Sequence, residues 1–160
     1  MTPRERLAQL VNAHEGFRGL LYDDANGKPI GPGSKVIGHP TIGYGLALDV
    51  RGLTPRQAAW LRDDALDEVE HALVTRLPLY SKQNDPRRMA LLELAYQMGV
   101  DGLIGPHGFR KMLAALEFRD YEGVKAELLD SSWATQTQPV RVAAVLTMLV
   151  DGVWPAEVAA

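Results

Sequence analysis

The chain has 160 residues, a hydrophobic fraction of 46% and a charged fraction of 23%, which suits one soluble globular domain, at most folded as two lobes around a cleft. A net charge of −3 gives no broad attraction to nucleic acid, and the local Arg87-Arg88 and Arg110-Lys111 pairs read as solvated helix faces. The absence of cysteine excludes disulfides and thiolate metal sites, no apolar run approaches the roughly 20 residues of a membrane span, and Met1-Thr2-Pro3-Arg4-Glu5-Arg6 is unlike a signal peptide.

Thr2-Pro3-Arg4-Glu5 reads as a capping box with proline at the first helical position. Leu7, Leu10, Val11 and His14 then recur on one helical face, and Gly16 ends the helix with Glu15 at its C-terminal edge. A carboxylate at the negative end of a helix dipole is favoured in its protonated form, the form a general acid needs. From Leu20 to about Leu53 the helical period is lost. Asn26-Gly27 signals a hairpin turn, Gly31-Pro32-Gly33 breaks the chain, and Val36-Ile37 and Thr41-Ile42 are strand-like, so a small twisted antiparallel sheet with an irregular loop at about 27–35 is expected.

A second capping box, Thr54-Pro55-Arg56-Gln57, opens the longest helical pattern, with Ala58, Leu61, Ala65, Leu66, Val69, Ala72 and Leu73 as its apolar stripe up to about Arg76. Its acidic residues Asp63, Asp64, Asp67, Glu68 and Glu70 suit an exposed face. Asp85-Pro86 is expected to cap the next helix, which Gly99 and Gly102 end. Further helices are expected at about 105–116, 120–129 and 139–150, with Trp133 and Trp154 as core anchors. The fold class is α+β, mainly α: one domain over 1–160, with a β-containing lobe at about 15–53, a linking helix at about 55–76 and a helical lobe at about 85–155.

Three residues in the N-terminal third stand out as a set. Glu15-Gly16 is followed nine positions after Glu15 by Asp24, then by Thr41-Ile42-Gly43-Tyr44-Gly45. Two carboxyls and a hydroxyl suit glycosidic hydrolysis, which needs one acid protonated and another ionised. Downstream come Tyr96-Gln97-Met98-Gly99, Phe109, Met112-Leu113, Trp133 to Thr137, Arg141 and Gly152-Val153-Trp154. In order and spacing these two blocks resemble the phage-type lysozymes, the T-even phage enzymes and their endolysin relatives, over roughly residues 5–155.

The resemblance implies a lysozyme-like fold and a role for each matching residue. Glu15 takes the place of the general acid, Asp24 that of the carboxylate that activates water, and Thr41 that of the hydroxyl that holds it. Gly43, Tyr96, Gln97 and Arg141 fall at substrate-binding positions. Asp23 is also acidic, but spacing from Glu15 and Tyr22 favours Asp24, with Asp23 capping the turn, where an asparagine should be tolerated. Gly43 and Gly45 suit positive φ and close approach of a sugar, although a structural turn would look the same. Three departures are visible: sixteen residues separate Asp24 from Thr41, with an insertion at 28–40; Leu46 stands where many members have histidine; and Arg141 lies one residue late.

His14, Asp23, Asp24 and His39 invite a metal hypothesis, but no ligand spacing such as HExxH supports it. No GxSxG elbow supports a serine nucleophile. No cofactor is expected. The function implied is an endolysin, a muramidase that cuts the β-1,4 bond between N-acetylmuramic acid and N-acetylglucosamine in peptidoglycan, with inversion. Made in the host cytoplasm, it is expected to act on glycan strands in the periplasm after release by a holin, as a monomer without membrane insertion. The alternatives are an antibacterial muramidase effector with an immunity partner and an inactive wall-binding domain.

Overall fold

In the computed structural model, which describes residues 1–156 and 158, the chain is mainly α with one small sheet, the class expected. It divides into two compact units, Met1–Trp60 and the chain from Leu61 onward. The border falls inside one long helix.

In the first unit, α1 (Pro3–Glu15) starts as its sequence dictates: Thr2 Oγ1 accepts the Glu5 N–H, and Glu5 Oε2 accepts the Thr2 N–H at 2.7 Å. Gly16, at φ 68°, stops it by donating back to the Asn12 carbonyl. The apolar face of α1 is exposed at Leu7, Leu10 and Val11. Strands β1 (Arg18–Asp23), β2 (Pro40–Gly43) and β3 (Leu46–Ala47) form an antiparallel sheet in the order β1-β2-β3. Tyr22 pairs with Thr41, Asp23 with Pro40, and Thr41 with Ala47, and an irregularity separates Arg18 from Tyr22. A single-turn helix, α2 (Leu48–Arg51), follows β3 directly.

One expected strand is absent. Val36-Ile37 is β-branched, but the Ile37 N–H donates to the Asp23 carboxylate instead of to a neighbouring strand. The segment is a clamp across the turn rather than part of the sheet.

Helix α3 (Pro55–Arg76) opens on the second capping box, in which Thr54 and Gln57 exchange side-chain to main-chain hydrogen bonds. Burial along its stripe rises toward the C-terminal end: Ala58 and Leu61 are exposed, Leu66 and Val69 half-buried, and Leu73 fully buried.

The second unit continues with α4 (Asp85–Met98), α5 (Val100–Ile104), α6 (Arg110–Glu117), α7 (Tyr121–Leu129), α8 (Ser132–Gln136) and α9 (Pro139–Leu146), and a π-helical turn spans Thr147–Asp151. Leu91, Leu94, Leu103, Met112, Leu116, Leu128, Val145 and Leu149 are among the side chains that form its core with Leu73. Each such side chain contributes about 1.5–3 kcal/mol on burial. Tyr80 is fully buried with them, donates to Glu70 Oε1 at 2.8 Å, and has its phenol pushed up to about 12, by burial first and by Glu70 second.

Several boundaries differ from expectation for local reasons. The cap of α4 is Asn84, whose side chain accepts the Arg87 N–H, while Asp85 and Pro86 lie in the first turn. Gly102 lies inside α5. The helix expected from about 105 starts at Arg110, because Gly105, Pro106 and Gly108 form a tight turn in which a Cβ on either glycine would strike main-chain carbonyls. Trp133 is buried in α8 as expected, but Trp154 is 43% exposed. Gly152, left-handed at φ 71°, ends the helical segment before Trp154. Among the described residues no helix is long and apolar enough to cross a membrane.

Candidate active site

Glu15 is the last residue of α1, and its carboxylate lies against Gly45. A Cβ built on Gly45 would come within 2.7 Å of Glu15 Oε2, and Gly45 holds φ at 77°. The left-handed backbone calls for glycine at 45, and a side chain there would push the Glu15 carboxylate aside. Gly43, at φ 67°, pairs with Arg18 across β1 and β2.

The two adjacent aspartates have opposite environments. Asp23 is 2% exposed and its carboxylate accepts four N–H donors. Oδ1 takes the main-chain N–H of Ala25 at 3.1 Å and of Gly38 at 2.9 Å; Oδ2 takes Asn26 Nδ2 at 3.0 Å and Ile37 N–H at 2.8 Å. These donors stabilise the charged form, the Ile37 N–H most of all, and hold the Asp23 carboxyl below its ordinary value against the opposing effect of burial. A carboxylate whose two oxygens each accept two N–H groups has no lone pair left for water chemistry or for a metal. Asp23 closes the turn and fastens the loop that follows.

Asp24 is exposed. Its main-chain N–H donates to the His39 carbonyl at 3.2 Å, and its Oδ1 accepts the His39 N–H at 2.7 Å. Thr41, 3% exposed, donates from Oγ1 to the same His39 carbonyl at 3.1 Å. One peptide residue thus links the second carboxylate to the hydroxyl. The His39 ring Nδ1 lies 3.0 Å from Asp49 Oδ2 on α2. Asp49 raises the His39 imidazole above its ordinary value, with smaller contributions from Asp24 and Asp23, and His39 in turn lowers the Asp49 carboxyl.

The remaining substrate-binding candidates lie in the second unit. Gln97 Oε1 accepts the Trp133 indole N–H at 3.1 Å, and Gln97 Nε2 lies 3.5 Å from Glu93 Oε1. The same Glu93 oxygen accepts Arg141 Nε at 2.7 Å. Gln97 and Arg141 therefore share Glu93, while Tyr96, next to Gln97 on α4, is exposed. Glu15, Asp24, Thr41 and Gly43 all lie in the first unit.

Compared with known proteins, residues 12–147 match the family model described as phage lysozyme. The chain belongs to the phage lysozyme family. It is a family of lysozyme-type hydrolases, and the matched span contains the positions of all the candidates named above. Among similar proteins, the pre-baseplate central spike protein Gp5 of Enterobacteria phage T4 is 26% identical over 167 aligned positions, covering 94% of this chain and 28% of that protein. The peptidoglycan hydrolase gp36 of Pseudomonas phage phiKMV is 33% identical over 135 positions, covering 84% of this chain and 14% of its own length. The chain spans less than a third of either relative.

Two residues, Glu93 and Asp49, escape sequence reasoning, and a third, His39, enters it only as a candidate metal ligand. Glu93 carried a usable signal, since it lies four residues before Gln97 on the same face of α4. Asp49 carried none, and neither did the role of His39 beside Asp24, because their partners are set by how the 28–40 insertion folds back. Leu46, at the position where many family members have histidine, pairs with Ile42 in the sheet.

Proposed function

We propose that the chain hydrolyses the β-1,4 bond between N-acetylmuramic acid and N-acetylglucosamine in peptidoglycan, with inversion at the anomeric carbon. Glu15 donates its proton to the glycosidic oxygen as the bond to the leaving sugar breaks. Asp24 and Thr41 hold a water on the opposite face of the ring, and Asp24 takes its proton as the oxygen bonds to the anomeric carbon. The ionised Asp24 also stabilises the oxocarbenium-like charge that develops. Glycine at 43 allows the sugar to approach the main chain, and Tyr96, Gln97 and Arg141, the last oriented by Glu93, serve as further sugar contacts.

The observation that carries this reading is the division of labour between neighbours. Asp23 is saturated by N–H donors, whereas Asp24 is exposed and tied to Thr41 through the His39 carbonyl. That arrangement supports Asp24, not Asp23, as the base. The test is clearance of a purified peptidoglycan suspension by the protein and by Glu15→Gln, which keeps the shape but has no proton to give. A loss of at least 10²–10⁴-fold is expected; near-normal clearance by the variant would remove Glu15 from its role.

The biological setting we propose is host lysis, with the chain acting as a monomer on the wall after holin-mediated release from the cytoplasm. A second setting is favoured by the relatives being much longer phage proteins, one of them named as a central spike: the same chemistry would then open the wall from a virion. Wall-degrading activity in purified particles supports the second setting, and activity only in lysates the first.

A further inference from the structure

We propose that His39 and Asp49 form a positioning pair that holds one peptide residue against both Asp24 and Thr41, setting the distance between carboxylate and hydroxyl. The proposal rests on the reading of Asp24 as the base. It starts from a convergence on residue 39: its N–H donates to Asp24 Oδ1 at 2.7 Å, and its carbonyl accepts both the Asp24 N–H at 3.2 Å and Thr41 Oγ1–H at 3.1 Å. A rotation of this one residue displaces both groups together.

Its conformation is fixed from three directions. Pro40 follows it, and a residue before proline is confined to extended backbone. Gly38 precedes it, at a point where a Cβ would strike the Asp24 carboxylate and the Ala25 N–H, so only glycine lets the chain pass this close. The imidazole then reaches Asp49 Oδ2 at 3.0 Å. Asp49 is on α2, which continues directly from β3, and Ala47 of β3 pairs with Thr41. The ion pair therefore closes a ring that runs from Asp49 through β3 and β2 to Thr41, on to the His39 carbonyl, and back through the His39 side chain.

Magnitude separates a positioning role from a structural one. Both partners are about half-exposed, with side-chain accessibilities of 51% and 44%, and a solvent-exposed pair adds little to folding. A catalytic group displaced by about 1 Å, in contrast, loses up to about 10²-fold in rate. The pair thus carries little stability and much geometry.

The test uses Asp49→Ala, His39→Ala and the double variant on soluble peptidoglycan fragments, with kcat, KM and Tm measured for each. The expected result is a fall in kcat of about 10–10²-fold in each single variant, no further fall in the double, and unchanged KM and Tm. Asp49→Asn, which still accepts a hydrogen bond from the ring, should recover part of the loss. Independently of activity, the amide proton of residue 39, shifted downfield by its carboxylate acceptor, should move upfield in Asp49→Ala. Wild-type kcat in Asp49→Ala, a kcat loss that tracks a fall in Tm, or an unmoved amide overturns the proposal. Asp24→Asn keeps the two ideas apart: full activity in that variant defeats the reading of Asp24, while the amide shift still reports on the pair.

Discussion

The main-chain N–H of Gly38 donates to Asp23 Oδ1 at 2.9 Å across fifteen residues of sequence. That bond, with its neighbour from Ile37, turns the 28–40 insertion into part of the site, because the next residue, His39, holds Asp24. It also changes what a substitution at Asp23 should do.

Asp24→Asn should lower turnover by about 10²-fold or more, through loss of the charge that orients water and stabilises the transition state, with no change in Tm. Asp23→Asn should instead lower Tm by several degrees. An asparagine presents NH2 to two of the four N–H donors and leaves them unpaired, so the tolerance expected from turn chemistry alone does not hold. Turnover and thermal unfolding of the two purified variants distinguish them. A catalytic loss in Asp23→Asn with unchanged Tm would exchange the roles of the two acids.

Gly45→Ala should damage the site from the other side. The new methyl would meet Glu15 Oε2 at 2.7 Å, on a backbone at φ 77°, and left-handed backbone costs a residue with a Cβ on the order of 1–3 kcal/mol. Both lower Tm and reduced turnover are expected, measured against Gly33→Ala. Gly33 also has positive φ but open space around it, so that variant shares the backbone strain without the collision.

Stability should fall in acid, and turnover should fall in alkali. Asp23 has a folded-state value depressed below 3.8, so its contribution is complete above 3.8 and is lost as pH falls through the depressed value. His39 has a folded-state value raised above 6.5, so its pair with Asp49, too exposed to move Tm, is complete below 6.5 as long as Asp49 is ionised, and its effect on turnover is lost as pH rises through the raised value. Thermal unfolding should therefore show wild type and Asp23→Asn converging in acid, and the turnover of wild type should fall toward that of His39→Ala in alkali. Parallel curves would contradict these assignments.

The second unit offers an independent check. Gln97→Ala would leave the buried Trp133 indole N–H without the acceptor it has at 3.1 Å, a loss of about 1–3 kcal/mol. Urea unfolding should register it as a lower midpoint. An unchanged midpoint would mean that the indole finds another partner.

The helices that begin with Thr2 and Thr54 were legible because a capping box places donor and acceptor three residues apart, within reach of a local pattern. The end of α1 at Gly16, and with it the place of Glu15, was legible for the same reason. Val36-Ile37 was misread as a strand because β-branched residues fit a strand, and nothing local records that the Ile37 N–H belongs to a carboxylate fourteen residues earlier. The role of His39 was hidden in the same way, since its main chain, not its side chain, meets Asp24. Trp154 was misplaced because an aromatic near a helix end fits burial or exposure equally well until the turn at Gly152 is known. Spacing chose Asp24, the less encumbered of the two aspartates, but only the hydrogen bonds explain why Asp23 is the other kind.

The most direct measurement is the identity of the sugar at the new reducing ends released from purified peptidoglycan, read by borohydride reduction and mass spectrometry. Wild-type protein should release chains ending in reduced N-acetylmuramic acid, and Glu15→Gln should release none above background. Reduced N-acetylglucosamine at the ends, stem peptides freed without new reducing ends, or undiminished release by Glu15→Gln would contradict a muramidase that uses Glu15 as its acid.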